Sequence, residues 1–487
     1  MCLNSKLKLV VLTIFLIMTT SFSRQDEIIK INEQDLIDSL NTNNIEEYDS
    51  HVILGDIPIS SEKYKKQVRD IRDFMMDNHV FYEVQNKDEI TNSYNKLLND
   101  SENKTAKDLS LDLMKVFSKY RQGHVSVNTV YNGKPSVFIN EINGKYYIVA
   151  TTDKYKNLLG TEVISINNIK MKDIIDRLEA YAIGENESFR NLTRKSFLNY
   201  YEILKKENVL TEEQNIYELK IGDKIVKLDI PFEQSKEFIV SKLKINGRKT
   251  ELINVKQKND NKDKYTIIKP LKLSVDTNKL HYIETKDDNL ILRYNSCKEN
   301  ENYKIEKFTK DVCDQLDNNK FSNIIIDLRY NLGGSSFHIY NIFGKMMAYQ
   351  GANPDTKIKV LISNQTYSAG GDCTLLFVKN FHNVEVIGKN SGFPISTSAG
   401  DVNVAYTKDT YIGINYCTTV FRQHYEDVDS FLFNYKNFDF EKNTMKPDFY
   451  ASQSFADFMI GNDPAMNYAL RNEGNTSLAE KIKGVLK

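Results

Sequence analysis

Two short stretches of the chain carry residue types that could do covalent chemistry. Thr366-Tyr-Ser-Ala-Gly-Gly371 follows a predicted strand and opens a predicted helix, so Ser368 would present its hydroxyl at a helix N-terminus, where the helix dipole favours negative charge. Asp327-Leu-Arg-Tyr-Asn-Leu-Gly-Gly334 leaves another strand, and its successive glycines could aim backbone N–H groups at a developing oxyanion. Taken alone, each stretch also fits an ordinary glycine-bearing strand-to-helix turn.

The elements around these stretches predict an α/β fold. From about His281 onward, apolar strand patterns alternate with helical ones, which is typical of a mostly parallel sheet. Asn323–Leu328 has the apolar centre of a strand that is buried on both faces. The remaining elements of this half are predicted in chain order: strand 290–294, helix 303–316, helix 337–347, strand 358–362, helix 370–381 and strand 384–387.

The first half of the chain has a different pattern. Apolar spacing predicts helices between Ser61 and Tyr120, and strand-like alternation begins near Val125. Gly160–Asn168, followed by the amphipathic Met171–Leu178, resembles the middle of a PDZ domain, whose strand–helix groove binds peptides by β-addition. Any β-turn-α unit would give the same short pattern.

The N-terminus has the order of a secretory signal peptide. Lys6 and Lys8 precede an apolar run from Leu9 to Met18, and Ser21-Phe-Ser23 offers small residues for cleavage. We therefore predict an exported or secreted protein with no integral membrane segment once residues 1–23 are removed; an uncleaved anchor is the alternative. Residues 24–60 are polar and acidic and predict a flexible leader.

Composition argues against several other classes of protein. The net charge is −1, with 65 basic and 66 acidic residues and no basic stripe, so we expect no nucleic-acid partner. Cleavage of the signal peptide would remove Cys2 and leave Cys297, Cys313, Cys373 and Cys417, which predict buried small side chains rather than a disulfide framework. Cysteine and histidine spacings indicate no metal site, and we expect no cofactor.

In their order and separation, the two stretches resemble the tail-specific (C-terminal processing) protease family. Its signatures are a D-L-R-x-N-x-G-G strand exit, complete here, and a T-x-S-A-G nucleophile turn. Gly123-His-Val-Ser126, Pro447-Asp448 and Gly461-Asn-Asp-Pro-Ala465 also match family landmarks, so the resemblance covers roughly residues 65–475. It implies an N-terminal helical part (61–135), a PDZ-like module with a linker (136–270) and an α/β serine-protease core (271–487).

The resemblance leaves two kinds of general base for Ser368. Many members of the family use a lysine, but Phe393 or Pro394 stands where that lysine would fall, and Lys389 takes the usual place of an acidic residue. A second branch uses a histidine in a G-H-[TV]-S motif, which His124 matches in Gly123–Ser126. We therefore expect His124 to be the base; a structural histidine at a strand start is the alternative.

The remaining parts of the site are also implied by the resemblance. Family organisation places a carboxylate after the nucleophile, and we choose Glu426, with Asp429 and Asp448 as rivals. The expected oxyanion donors are the backbone N–H groups of Gly333 or Gly334 and of Ala369. Gly371 departs from the family, since many relatives carry glutamate there; Asp372 follows it.

The sequence thus predicts an exported serine endopeptidase that cuts unfolded or C-terminal polypeptide segments through an acyl-enzyme. The absence of the family's lysine keeps one alternative open. In it, the chain is a secreted peptide-binding or scaffold protein with the same fold and no catalytic activity.

Overall fold

The computed structural model describes residues 28–31, 45–47, 58–79, 87–128, 133–234, 238–244, 251–257, 266–267, 275–276, 279–299, 304–394, 397–407, 410, 412–422 and 444–471. The predicted signal peptide and Glu426 lie outside these ranges. So does most of the predicted leader, although its strands Ile28–Ile31 (β1), Ile45–Glu47 (β2) and Pro58–Ile59 (β3) are described.

The N-terminal part is helical, as the apolar spacing predicts. Its helices are α1 (Ser61–Asn78), α2 (Lys87–Asn99) and α3 (Ala106–Phe117). Thr105 caps α3 in a capping box with Asp108, which satisfies backbone N–H groups that the helix leaves unpaired. The buried faces of these helices share a core with Val125 and Val127, so the chain emerges from this bundle directly into the histidine motif.

An antiparallel sheet follows, with the predicted β-turn-α unit inside it. Its strands are β7 (Val137–Ile142), β8 (Lys145–Thr151), β9 (Glu162–Ile166), β10 (Ile169–Lys170), β11 (Ile216–Ile221), β12 (Lys224–Asp229) and β16 (Thr266–Ile267). Asn167 and Asn168 both have positive φ (49° and 63°), which is the geometry of a tight two-residue hairpin turn. Helix α4 (Met171–Leu178) has the predicted bounds and packs its apolar side on this sheet.

Helices α5 (Glu187–Ser196) and α6 (Tyr201–Lys206) follow α4. Smaller strands pair outside the main sheets: β4 (Lys104–Thr105) with β3, β6 (Gly133–Pro135) with β13 (Phe232–Gln234), and β14 (Phe238–Lys244) with β15 (Glu251–Gln257) and β2.

The C-terminal half contains a six-stranded sheet of the predicted kind, and the α/β class predicted from the sequence is confirmed. Its order is β17 (His281–Lys286), β18 (Asn289–Tyr294), β19 (Asn323–Asp327), β20 (Lys357–Ile362), β21 (Val384–Gly388) and β24 (Phe449–Tyr450). All neighbours are parallel except β17 with β18.

Helices cover both faces of this sheet. Ile324 and Ile326 of β19 pack against α7 (Ile305–Asn318), α8 (Tyr340–Ala352) and α9 (Ala369–Asn380), whereas Ile325 faces α11 (Pro464–Ala469), which follows α10 (Phe455–Ile460). Because side chains alternate across a strand, both faces of β19 must be apolar, which is why its sequence is a run of isoleucines.

A four-stranded sheet joins the two halves of the chain. Its order is β1, β22 (Thr397–Thr407), β23 (Gly413–Arg422) and β5 (Ser126–Asn128). β5 begins two residues after His124 and pairs with β23, and Ser126 accepts a 2.7 Å hydrogen bond from the Asn415 side chain. Strands from the predicted protease core therefore hold the histidine segment of the N-terminal part.

A buried ion-pair network fixes the carboxyl end of β19. Asp327 is 0% exposed, and its carboxylate accepts hydrogen bonds from Arg293 (2.5 Å) and Arg329 (2.8 and 2.9 Å). Arg329 also pairs at 2.8 Å with Asp463, whose side chain caps α11. Burial alone would raise the pKa of Asp327, but the two guanidinium groups outweigh it and hold that pKa below its ordinary value.

Asp327→Ala is expected to lower the free energy of unfolding by about 3–5 kcal/mol, because it removes the fully buried carboxylate that both the Arg293 and Arg329 guanidinium groups bond. The contribution of the ionised Asp327 carboxylate to the free energy of unfolding is present above the ordinary aspartate pKa of about 3.9. It is lost as the pH falls below that value. Guanidinium unfolding measures the change. Asp176→Ala, which breaks the exposed Lys172–Asp176 pair (3.2 Å), is the control and should change stability by less than about 0.5 kcal/mol. An equal effect of both substitutions on the free energy of unfolding would contradict a stabilising role of the buried ion pairs of Asp327.

Candidate active site

The two sequence motifs meet at one edge of the parallel sheet. β19 and β20 are neighbours in register, so their carboxyl ends deliver residues 328–334 and 363–368 to the same place. Asn331 links the two turns: its carbonyl accepts the N–H of Tyr367 at 2.9 Å, and its side-chain Oδ1 accepts the N–H of Gly333 at 2.9 Å. Thr366 adds a 2.9 Å bond from its hydroxyl to the Leu328 carbonyl.

Ser368 lies between β20 and α9 in a strained backbone conformation. It has φ 53° and ψ −129°, a region that residues with a Cβ rarely adopt, and it is the N-cap residue of α9. Such a sharp turn brings the serine Oγ out of the sheet edge, and the strain is kept because the neighbouring residues are hydrogen-bonded on both sides.

His124 lies beside this serine. Its Nε2 is 2.9 Å from the Oγ of Ser368, although the two residues are 244 positions apart in the chain. The ring is partly buried, and burial lowers the pKa of His124 to about 4. The imidazole is therefore neutral near pH 7, which is the form that can accept the serine proton.

The backbone N–H groups that are predicted to bind the oxyanion differ in whether they already have a hydrogen-bond acceptor. The Gly333 N–H is taken up by Asn331 Oδ1, whereas within the described residues the N–H groups of Gly334 and Ala369 have no acceptor. Gly333 is still required next to Ser368, because a Cβ on Gly333 would lie 2.7 Å from the Cβ of Ser368. Gly334 and Ala369 are the pair of donors that this geometry leaves available.

The sequence predictions for the carboxylate remain open. Glu426 and Asp429 lie outside the described residues. Asp448 accepts the backbone N–H of Val386 at 2.8 Å and so has a structural role at β21. Lys389 directly follows β21, and burial lowers its pKa, but in the described structure the Ser368 hydroxyl is bonded to His124 and not to Lys389.

Two residues of the site have no signal in the sequence. The Oη of Tyr367 lies 3.2 Å from Nδ1 of His124 and 2.9 Å from each carboxylate oxygen of Glu185. Tyr367 is the variable position of the nucleophile motif, and Glu185 sits in the connection before α5, where no motif marks it. Only the fold brings them together.

Aromatic rings enclose this part of the site. Phe189 stacks on Tyr367 with centroids 3.9 Å apart, and Phe393 meets the same ring edge-on at 5.5 Å. The described residues contain no group of three or more His, Cys, Asp or Glu side chains placed to hold a metal ion. Among them, Cys297, Cys313, Cys373 and Cys417 are free thiols, and all except Cys313 are buried.

Comparison with solved structures gives the fold a known counterpart. A structure of mature CPAF complexed with lactacystin matches with a TM-score of 0.56 and 10% identity, over 88% of this chain and 98% of that one. A serine-to-alanine mutant of CPAF matches with a TM-score of 0.55 and 10% identity, over 84% and 96%. A photosystem II D1 C-terminal processing protease is similar at a TM-score of 0.33, with 10% identity over 84% and 99%.

The chain therefore shares the fold of CPAF, and at this level of identity the comparison concerns the fold alone. The resemblance to tail-specific and C-terminal processing proteases that the motifs predict is confirmed at that level. No family model and no curated protein sequence matches the chain.

Gly123→Ala is expected to slow the reaction of Ser368 with a fluorophosphonate probe by about 10²-fold, since displacements near 1 Å at a reacting centre have effects of that size. A Cβ at Gly123 would fall 2.3 Å from Tyr367 Oη and 2.7 Å from a carbon of Phe189, so the Tyr367 ring would have to move.

Gly344→Ala is the matched control, because a Cβ there meets nothing within 4 Å, and it should label like the wild type. Unchanged labelling of a folded Gly123→Ala variant would show that the tight approach to Tyr367 has no bearing on the serine.

Proposed function

We propose that the protein is an exported serine endopeptidase that hydrolyses peptide bonds of unfolded or C-terminal polypeptide segments. The observation that carries the proposal is the 2.9 Å approach of His124 Nε2 to the Oγ of Ser368, a serine that is only partly buried in its turn. Support also comes from the CPAF fold and from the complete D-L-R-x-N-x-G-G motif. The order of residues at the N-terminus supports export.

The geometry supports an acyl-enzyme mechanism. Nε2 of His124 takes the hydroxyl proton as the Ser368 Oγ attacks the carbonyl carbon, and the N–H groups of Gly334 and Ala369 stabilise the oxyanion. His124 then gives the proton to the leaving amine, and the acyl group stays on Ser368. Water hydrolyses the ester in the same way, with His124 again as the base.

Polypeptide is the substrate class because the sequence resembles peptidases and because the antiparallel sheet with α4 offers a PDZ-like module that could hold a peptide by β-addition. No helix in the described part of the chain is long and apolar enough to cross a bilayer.

Ser368→Ala should abolish cleavage of an unfolded protein substrate while leaving the fold intact, because it removes one hydroxyl from a turn that is held by its neighbours. Cut sites mapped by mass spectrometry provide the measurement. His124→Ala should be nearly as damaging, and the double variant little worse than either single one, since the two groups act as a unit.

Lys389→Ala is the control and should keep most of the activity. Cleavage near the wild-type level by folded Ser368→Ala would rule out the serine mechanism. Loss of activity in Lys389→Ala with retention in His124→Ala would make the lysine the base. A wild type that neither cleaves nor reacts with a fluorophosphonate would favour the inactive peptide-binding protein.

A further inference from the structure

The mechanism uses one nitrogen of the His124 ring, and the structure gives the other nitrogen a defined partner. Nδ1 lies 3.2 Å from Tyr367 Oη, which lies 2.9 Å from both carboxylate oxygens of Glu185. We propose that Tyr367 and Glu185 are positioning residues that hold the His124 imidazole in the tautomer that accepts the Ser368 proton. This inference rests on the proposed function and extends it to two residues with no sequence signal.

The direction of the hydrogen bonds follows from the donor and acceptor capacity of each group. An ionised Glu185 can only accept, so the single hydrogen of the Tyr367 hydroxyl is donated to it. The Tyr367 oxygen is then left as an acceptor toward His124, and Nδ1 must carry the ring hydrogen. Nε2 is thereby left with a lone pair facing the serine Oγ, which is what a general base requires.

The Tyr367 ring is held rigidly enough to transmit this orientation. Tyr367 is 3% exposed, with Phe189 stacked on one face at 3.9 Å and Phe393 at its edge. Two glycines make room for these rings: a Cβ at Gly123 would meet Tyr367 Oη at 2.3 Å, and one at Gly392 would meet Phe189 at 2.7 Å. A tyrosine hydroxyl placed in this way has little freedom to choose another partner.

Glu185 is held in place as well. It is 4% exposed, and the nearby backbone N–H groups of Gly123 and of Glu185 itself act to lower the pKa of its carboxyl. The next residue, Asn186, caps α5 and also bonds the Ser391 carbonyl (3.1 Å) and the Thr444 hydroxyl (2.9 Å) in the other half of the chain. Since the chain segment is fixed, the carboxylate stays beside Tyr367.

A carboxylate from another part of the chain would have to compete with Tyr367 for the hydrogen on Nδ1 of His124. Nδ1 carries one hydrogen, so Tyr367 and the sequence-predicted Glu426 cannot both be its main acceptor. The described residues supply Tyr367 at 3.2 Å, with a buried carboxylate directly behind it. The two assignments therefore make opposite predictions for the variants below.

The pH dependence of the site should report on Glu185. Burial raises the pKa of Glu185 to about 7, against the opposing hydrogen bond from Tyr367. Among the described residues, the titratable groups that face Glu185 are the Tyr367 phenol and the Cys417 thiol of β23, with His124 beyond the phenol; none of them is a cation near pH 7.

A protonated Glu185 can donate to Tyr367 Oη, which frees the phenol hydrogen to point at Nδ1 and moves the ring hydrogen to Nε2. Reactivity of the serine is then present above about pH 7 and is lost as the pH falls through that value. His124, with its pKa lowered to about 4, is neutral throughout this range.

The test uses the full-length protein and measures the rate of fluorophosphonate labelling of Ser368 from about pH 5 to about pH 9, the range that brackets ordinary histidine titration. Tyr367→Phe and Glu185→Gln should each slow labelling by about 10- to 10²-fold, less than the ~10⁴-fold loss when a directly bonded triad carboxylate is replaced. Both variants should also lose the rise in rate near pH 7 that the wild type shows.

Two matched variants control for burial. Glu202→Gln alters a carboxylate that is 5% exposed, and Tyr94→Phe alters a fully buried tyrosine that bonds Tyr120 at 3.2 Å. Both should label at the wild-type rate with the wild-type pH profile. If the site variants fold poorly, the ¹⁵N shifts of the His124 ring in the wild type above pH 7 decide instead, and they should show the hydrogen on Nδ1.

Any of four results would overturn the inference and leave the peptidase proposal standing. Tyr367→Phe and Glu185→Gln could label like the wild type. They could label slowly with an unchanged pH profile, which would indicate a structural role only. Glu426→Gln could remove the rise near pH 7 while Glu185→Gln keeps it, or the ring hydrogen could be found on Nε2. A wild type that does not label at any pH would instead overturn the proposed function itself.

Discussion

The 2.9 Å contact between His124 and Ser368 is the constraint that the rest of the structure serves, because it joins groups from opposite halves of the chain. Neither half can form it alone. The histidine follows the helical bundle and enters β5, and β5 is an edge strand of a sheet whose other members come from the C-terminal half and the leader. The serine belongs to the parallel sheet. The site is thus assembled only when these layers pack together, and Gly123 lies at a close approach between them, since a Cβ there would fall 2.3 Å from Tyr367 Oη.

Within the C-terminal half, Asn331 explains why the two glycine-rich turns form one unit. Its carbonyl and side chain bond Tyr367 and Gly333, and its side-chain amide also donates to the Tyr294 carbonyl at 2.8 Å. A single buried amide thereby connects the ends of β18 and β19 with the nucleophile turn. Its Oδ1 occupies the N–H of Gly333, which leaves Gly334 and Ala369 for an oxyanion. The ion pairs between Asp327 and Arg329 also hold the carboxyl end of β19 in place.

Local sequence signals predicted the elements well and the site only in part. The isoleucine run of β19, the bounds of α4 and the turns at Gly334 and Ser368 depend on neighbours in the chain, so periodicity and glycine placement reveal them. The resemblance to the family's G-H-[TV]-S motif pointed to His124. Glu185 and Tyr367 were missed because 182 positions separate them, and a lone carboxylate before a helix resembles any N-terminal helix residue. The pairing of β5 with β23 could not be predicted either, because the two strands are far apart in the sequence. In addition, β5 has three residues, which is too few to show a strand pattern.

Two places at which the sequence departs from the family it resembles lie side by side in the structure. Phe393 or Pro394 stands where many members of that family have a lysine, and Gly371 stands where many have glutamate. A Cβ at Gly371 would lie 2.3 Å from the Phe393 ring, so the ring can take this position only because residue 371 has no side chain. Phe393 also packs edge-on against Tyr367. The Phe393 ring thus fills the space beside Gly371 and helps to fix the phenol next to His124. The packing that leaves no room for a side chain at position 371 therefore also holds the phenol that lies 3.2 Å from Nδ1 of His124.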